Sequence, residues 1–163
     1  MNKNNIEPKQ DGVTHINVYS KARTPFGKML SNFEHCSIDT PDGKFASVEG
    51  YWSWMSVVDC PEREQLRRLY GFQAKKIGKE LVESKGRRFD DDFEHKILVA
   101  IEDKFRKNIK LMKPEYETLP ILHYYTYGND DKYVVVDVTA KYQWMINGIE
   151  EIRRKLVSEH KGD

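Results

Sequence analysis

Only two of the 163 residues are cysteine, Cys36 and Cys60, too few for a disulfide framework or a thiolate zinc site. Neither sits in an activating context, so each is expected to be a small core residue. No apolar run approaches the ~20 residues of a membrane span, and the polar opening MNKNNIEPKQDG is not a signal-peptide pattern. A reduced, cytoplasmic setting without membrane contact is therefore expected. Net charge is nearly absent too: 27 basic and 26 acidic side chains leave +1, so no global field recruits nucleic acid. The five histidines are scattered, none paired at ligand spacing, which argues against a metal site. The sequence holds no P-loop, G-x-G-x-x-G or G-x-S-x-G pattern, and no cofactor is expected.

Aromatic residues, by contrast, are plentiful: 7 Phe, 3 Trp and 9 Tyr, enough to exclude disorder over most of the chain. The length suits one domain with a real core. We expect a flexible tail over residues 1–12, marked by Pro8 and Gly12, and a single domain over 13–160. The charge is uneven. Residues 1–60 carry 6 basic and 7 acidic side chains (−1), residues 61–88 carry 9 and 4 (+5), and residues 89–163 carry 12 and 15 (−3). The middle segment is either a solvated helix face or an anion-contacting one.

Periodicity predicts a mainly helical α+β fold with a few short strands. His15–Tyr19 alternates as a strand would, and Asp42-Gly43 marks a small hairpin inside a long loop region over 20–47. Ser47 reads as the cap of a helix through Met55, with Val48, Trp52 and Met55 on one face. A second helix is expected from near Pro61, with Leu66, Leu69 or Tyr70, Gln73, Ile77 and Leu81 on one side and Gly71 and Gly78 as interruptions. Phe93, Ile97, Ile101, Phe105 and Ile109 recur every four residues, predicting a helix over 91–112 ended by Pro114. Tyr133–Val138 is strand-like, and Met145, Ile149, Ile152 and Leu156 predict a final helix over 141–157.

One stretch carries chemistry. Between Tyr19 and Trp54 a loop bears Ser31, Asn32 and Phe33, and Glu49 follows in the first turn of an aromatic-rich helix. The helix dipole there favours the ionised carboxylate, while Tyr51, Trp52 and Trp54 could desolvate it and push the other way. The plainer alternative is that Glu49 is only a favourable first-turn residue.

Ser31-Asn32-Phe33, the hairpin, and then Ser47-Val48-Glu49-Gly50-Tyr51-Trp52 resemble the signature of the NADAR (YbiA-like) family, with Tyr19 and Gly27 in place upstream. Ala74-Lys75-Lys76-Ile77-Gly78 resembles the family's A-x-x-x-G segment, and the resemblance spans roughly 15–157. It implies a single compact YbiA-like domain with N-glycosidic chemistry on nitrogen-linked ribose, as in ribosylamino-pyrimidine phosphates or ADP-ribosylated guanine. Glu49 then takes the catalytic glutamate position, stabilising charge at C1 and orienting water. Asp137 is a candidate second carboxylate, in competition with Asp130 and Asp131. Tyr19, Arg23, Ser31, Asn32, Phe33, Trp52 and Phe89 become the substrate-binding candidates, with Lys21, Arg23 or Lys28 meeting phosphate. Phe89 stands where the family often has Trp, and Ser56 where it often has Lys; the family's W-G-x-G and N-x-L-G segments are absent from 133–145.

The expectation is a metal-free N-glycosidase acting on a nucleotide or ADP-ribosyl conjugate. A modified nucleic acid is the secondary partner expectation, with 61–88 as its contact surface; the oligomeric state is left open. The alternatives are a module that sequesters an ADP-ribose-like nucleotide without turnover, and an interaction protein that keeps only the fold.

Overall fold

The computed structural model describes residues 5–129 and 132–161. Of these, 52% are helical and 17% extended, the mainly helical α+β composition expected. The chain divides into two compact units, residues 1–31 with 108–163 and residues 32–107.

The first unit begins where a flexible tail was expected. From Pro8 onward the chain is ordered instead: Pro8–Gln10 forms a 3-10 turn, and Asp11 is buried. The Asp11 carboxylate accepts the backbone N–H groups of Asn17 and Arg23, both at 2.9 Å. A buried carboxylate with both oxygens satisfied ties this segment down. Strand β1 (Ile16–Asn17) is shorter than the alternating run suggested and is followed by helix α1 (Pro25–Leu30) inside the expected loop. The Thr24 hydroxyl accepts from Gly27 N–H and Pro25 opens the first turn, a capping signal readable in the sequence. Gly27 has to be glycine: a Cβ there would lie 2.3 Å from the Asn17 carbonyl oxygen.

The rest of this unit follows in the C-terminal part of the chain, where β4 (Ile121–Leu122) pairs parallel with β1. Strands β5 (Tyr124–Asn129) and β6 (Lys132–Asp137) form an antiparallel hairpin with Tyr127 opposite Val134. Helix α5 (Gln143–Lys161) buries the expected Met145, Ile149, Ile152 and Leu156, and runs four residues beyond 157. Arg153 on the same helix is also buried, donating from Nη1 to the carbonyls of Tyr116 and Leu119 at 2.9 and 2.7 Å.

In the second unit, β2 (Ile38–Thr40) and β3 (Gly43–Phe45) make the hairpin around Pro41-Asp42, with Gly43 at φ +105°. Helix α2 (Val48–Ser56) starts at Ser47, whose hydroxyl accepts from Gly50 N–H at 2.9 Å and donates to the Leu69 carbonyl at 2.8 Å. Its inner face is Val48, Tyr51, Trp54 and Met55; Trp52 is only half-buried, edge-on to Phe93 at 4.8 Å. The single helix expected from Pro61 is two elements. A 3-10 helix covers Pro61–Arg68, and α3 (Gly71–Lys85) restarts at Gly71, whose φ is +60°. This restart shifts the buried stripe to Ala74, Gly78 and Leu81 and leaves Gln73 exposed. Helix α4 (Phe93–Lys107) buries Ile97, Ile101 and Phe105 as expected. It ends seven residues before Pro114, because Asn108 leaves helical geometry at φ −123°, ψ 26°.

Candidate active site

The second unit holds Glu49 and builds its surroundings from three segments. Ser47 caps α2 and so places Glu49 in the first turn, where backbone N–H groups lack helical partners. The Glu49 N–H is satisfied from outside the helix: it donates to the Asn32 carbonyl at 2.9 Å. That bond pins the Ser31-Asn32-Phe33 loop to the start of α2. The same loop reaches the start of α3, since a Cβ on Gly71 would lie 3.8 Å from the Phe33 carbonyl oxygen. On another side the 61–69 segment closes over the turn, so tightly that a Cβ on Gly50 would stand 2.5 Å from the Leu66 carbonyl oxygen.

The electrostatics follow from this enclosure. Burial pushes the Glu49 carboxyl up to about 7, against the positive charge of Lys75 on α3, which pulls it down. The expected desolvation prevails, and the pull against it comes from the Lys75 ammonium, a charge the reading of the sequence did not include. A carboxyl that exchanges its proton near neutrality can serve as acid or as base, which an ordinary surface glutamate cannot do at that pH.

The structure brings Asn32 to Glu49 through its carbonyl, sets the Phe33 carbonyl beside Gly71 at the start of α3, and leaves other candidates elsewhere. Trp52 lies on the same helix, against Phe93. Phe89 stands 84% exposed in the segment before α4. Ser31 is buried and ends α1, its N–H donating to the Lys28 carbonyl. Tyr19, Lys21 and Arg23 belong to the first unit, where they line a small polar cleft with Asp11, Asn17 and Tyr133. In that cleft the Tyr19 hydroxyl donates to the Thr126 carbonyl, and Arg23 Nη2 donates to the Tyr133 hydroxyl, both at 3.4 Å. Asp137 ends β6 in the first unit, and its Oδ1 accepts the Thr139 N–H at 3.0 Å. Its competitors Asp130 and Asp131 lie outside the described residues.

Sequence reasoning assigned no role to Lys75 or Lys104. Lys75 was legible as part of Ala74–Gly78, but its action on Glu49 depends on how α3 lies against α2. Lys104 is fully buried in α4, and burial brings its ammonium down to about 8 against the opposing charges of Glu34 and Cys36. Its spacing, seven after Ile97 and three after Ile101, puts it on the buried stripe of α4, but a lysine at such a position reads as solvent-facing. Among the described residues no cluster of three His, Cys, Asp or Glu side chains could hold a metal. No helix among them is long and apolar enough to cross a membrane.

Fold and carboxylate together define a class: a mainly helical α+β protein of YbiA-like architecture with a half-buried glutamate at a capped helix start. One solved structure that it resembles is that of the E. coli protein YbiA, determined by NMR. The likeness covers 97% of this chain and 97% of that chain, with a TM-score of 0.62 and 18% sequence identity. At that identity the likeness is one of fold. No family model matches the chain, and no curated protein matches its sequence.

Proposed function

We propose that this protein is an N-glycosidase that hydrolyses the N-ribosyl bond of an ADP-ribosyl conjugate, such as ADP-ribosylated guanine, or of a ribosylamino nucleotide. The observation that carries the reading is Glu49, a carboxyl at the capped start of α2 held near neutral pKa by burial. The YbiA-like fold supports it, because the resemblance to the NADAR family assigns the catalytic glutamate to this position.

In this mechanism the C1–N bond breaks with its electron pair passing to nitrogen, and the proton held by Glu49 goes to that nitrogen. The resulting carboxylate stabilises positive charge at C1 and takes a proton from the water that adds there. The net products are an N–H base or amine and a sugar with a free C1 hydroxyl. Asn32 and Phe33 define the loop against which the reacting ribose lies, and Trp52 offers an aromatic ring to a base. Tyr19, Arg23 and Ser31 remain substrate-binding assignments, and Asp137 the second carboxylate, on the strength of the resemblance.

A second reading is a module that binds an ADP-ribose-like nucleotide without turnover. Ser56 favours it: where the family often has lysine, this hydroxyl donates to the Trp52 carbonyl at 2.8 Å within its own helix. The test is incubation of wild type and Glu49→Gln with an ADP-ribosylated guanine oligonucleotide and with a ribosylamino-pyrimidine phosphate, read by mass spectrometry. Product from wild type alone is the expected result. Saturable binding without product from either protein selects the sequestering module, and neither binding nor product refutes both readings.

A further inference from the structure

We infer that the open edge of β6 pairs antiparallel with the same edge of a second copy of this chain, joining two β5–β6 hairpins into one four-stranded sheet across a two-fold axis. This stands apart from the glycosidase reading and concerns the first unit alone.

The two edges of the hairpin differ. On the β5 side the backbone is already occupied. The Asn17 side chain donates from Nδ2 to the Tyr124 carbonyl and accepts the Tyr124 N–H, both at 3.0 Å, and the Tyr19 hydroxyl donates to the Thr126 carbonyl. On the β6 side, among the described residues, the backbone of Val134, Val135 and Val136 pairs with β5 only. Backbone groups alternate between the two edges of a strand, so part of this backbone points to open solvent. Natural edge strands are blunted by lysine, proline or a bulge. Here the register runs unbroken from Asn129↔Lys132 to Tyr124↔Asp137, and Tyr133-Val134-Val135-Val136 holds neither lysine nor proline. One face of the hairpin is bare as well: Tyr127, Val134 and Val136 share it and are 57, 58 and 41% exposed. A two-stranded sheet with an apolar face and an open edge is completed by a further strand.

The strand that fits is β6 itself. Cross-strand neighbours must share a face, so residues an even number apart pair with one another. Centring the two-fold axis on Val135 sets Val134 of each copy opposite Val136 of the other and Val135 opposite its own counterpart. Each of these is an apolar, β-branched pair of the kind that stabilises sheets. Charge agrees with this direction. Lys132 and Asp137 stand at opposite ends of β6, so antiparallel pairing brings the basic end of each copy to the acidic end of the other. Parallel pairing would set like charge against like. Closure follows from the capped side: with β5 occupied by Asn17 and Tyr19, each copy offers one edge, and a two-fold pairing consumes both and stops at two. The strand has six residues, well short of the roughly 20–30 a side of a standard interface, so the dimer is weak and concentration-dependent.

The test is sedimentation velocity of the full chain between about 5 and 500 µM, the range in which a small interface associates. Wild type should move from the 19.2 kDa monomer toward twice that mass as concentration rises. Val134→Lys combined with Val136→Lys places lysine opposite lysine across the axis and should weaken the dimer at least about tenfold. Val134→Glu combined with Val136→Glu should do the same, and an equimolar mixture of the two double variants should recover a heterodimer. Both positions are exposed, so each variant should keep the circular dichroism and cooperative unfolding of wild type. Hydrogen exchange gives a reading that needs no variant: in wild type, amides of the 134–136 segment should exchange about threefold more slowly at the top of the range than at the bottom, while those of α5 stay unchanged. A wild type that is monomeric throughout overturns the dimer and leaves the edge to a strand of another protein. A dimer indifferent to both double variants, a mixture that stays monomeric, or exchange independent of concentration overturns it too. Species that grow beyond two copies overturn the closed two-fold pairing.

Discussion

Replacing Glu49 by Gln should make the folded protein more stable at alkaline pH while removing its chemistry. The carboxyl ordinarily titrates at 4.5 and in the fold at about 7, with burial as the cause. Each pKa unit corresponds to 1.36 kcal/mol, so ionised Glu49 costs the folded state on the order of 3 kcal/mol relative to the unfolded chain. The sign follows from proton binding. Between pH 4.5 and about 7 the folded state holds the proton that the unfolded chain has released, so the contribution of this group is fully favourable below 4.5. It falls as pH rises through that window and is lost above it. Glutamine keeps the shape and lacks the charge, so the variant should match wild type near pH 4.5 and exceed it by ~3 kcal/mol near pH 8. Urea unfolding of both proteins at a series of pH values reads this difference directly, since every other titrating group cancels between them. For a chain of this length each kcal/mol corresponds to about 2–4 °C in Tm. A variant no more stable than wild type at pH 8, or a difference independent of pH, would refute the claim that Glu49 is desolvated. The reading also matches a general trade: functional groups are held in surroundings that cost stability.

Removing the cation opposite it should act in the other sense. Lys75→Met takes away the charge that lowers the Glu49 carboxyl, so NMR titration of the Glu49 side chain should place its midpoint above the wild-type value. Gly78→Ala gains ~1 kcal/mol of helix propensity but forces a methyl to 2.4 Å from Ser53 Oγ. Thermal unfolding should therefore show a net loss of about 1–2 kcal/mol, relieved when Ser53→Gly is added. Arg153→Ala leaves the Tyr116 and Leu119 carbonyls without their buried donor and should cost about 3 kcal/mol by urea unfolding; an effect below 1 kcal/mol would mean that water replaces the guanidinium fully.

Features governed by neighbours along the chain were legible without coordinates. Ser47 three residues before Gly50, the Asp42-Gly43 turn, and the four-residue repeats of α4 and α5 each depend on contacts within a turn or two, and they formed as read. Thr24-Pro25 carried an equally local signal for α1, which the surrounding turn residues obscured. The β5 strand, Tyr124–Asn129, was missed because its polar and aromatic sequence acquires strand character only by pairing with β6.

The sequence by itself determined the Ser47 cap, the position of Glu49 in a first turn and the apolar stripes of α4 and α5, because helix periodicity and capping are set by residues at most four apart. Tertiary structure alone decided the rest. Whether Glu49 is charged or neutral near pH 7 depends on the Asn32 loop, the 61–69 segment and Lys75, which lie 12 to 26 residues away in the chain. Likewise Lys104 became fully buried and Phe72 exposed through helix-on-helix packing. The free energy of a charge depends on the matter around it in space, and a sequence specifies that matter only once the chain has folded.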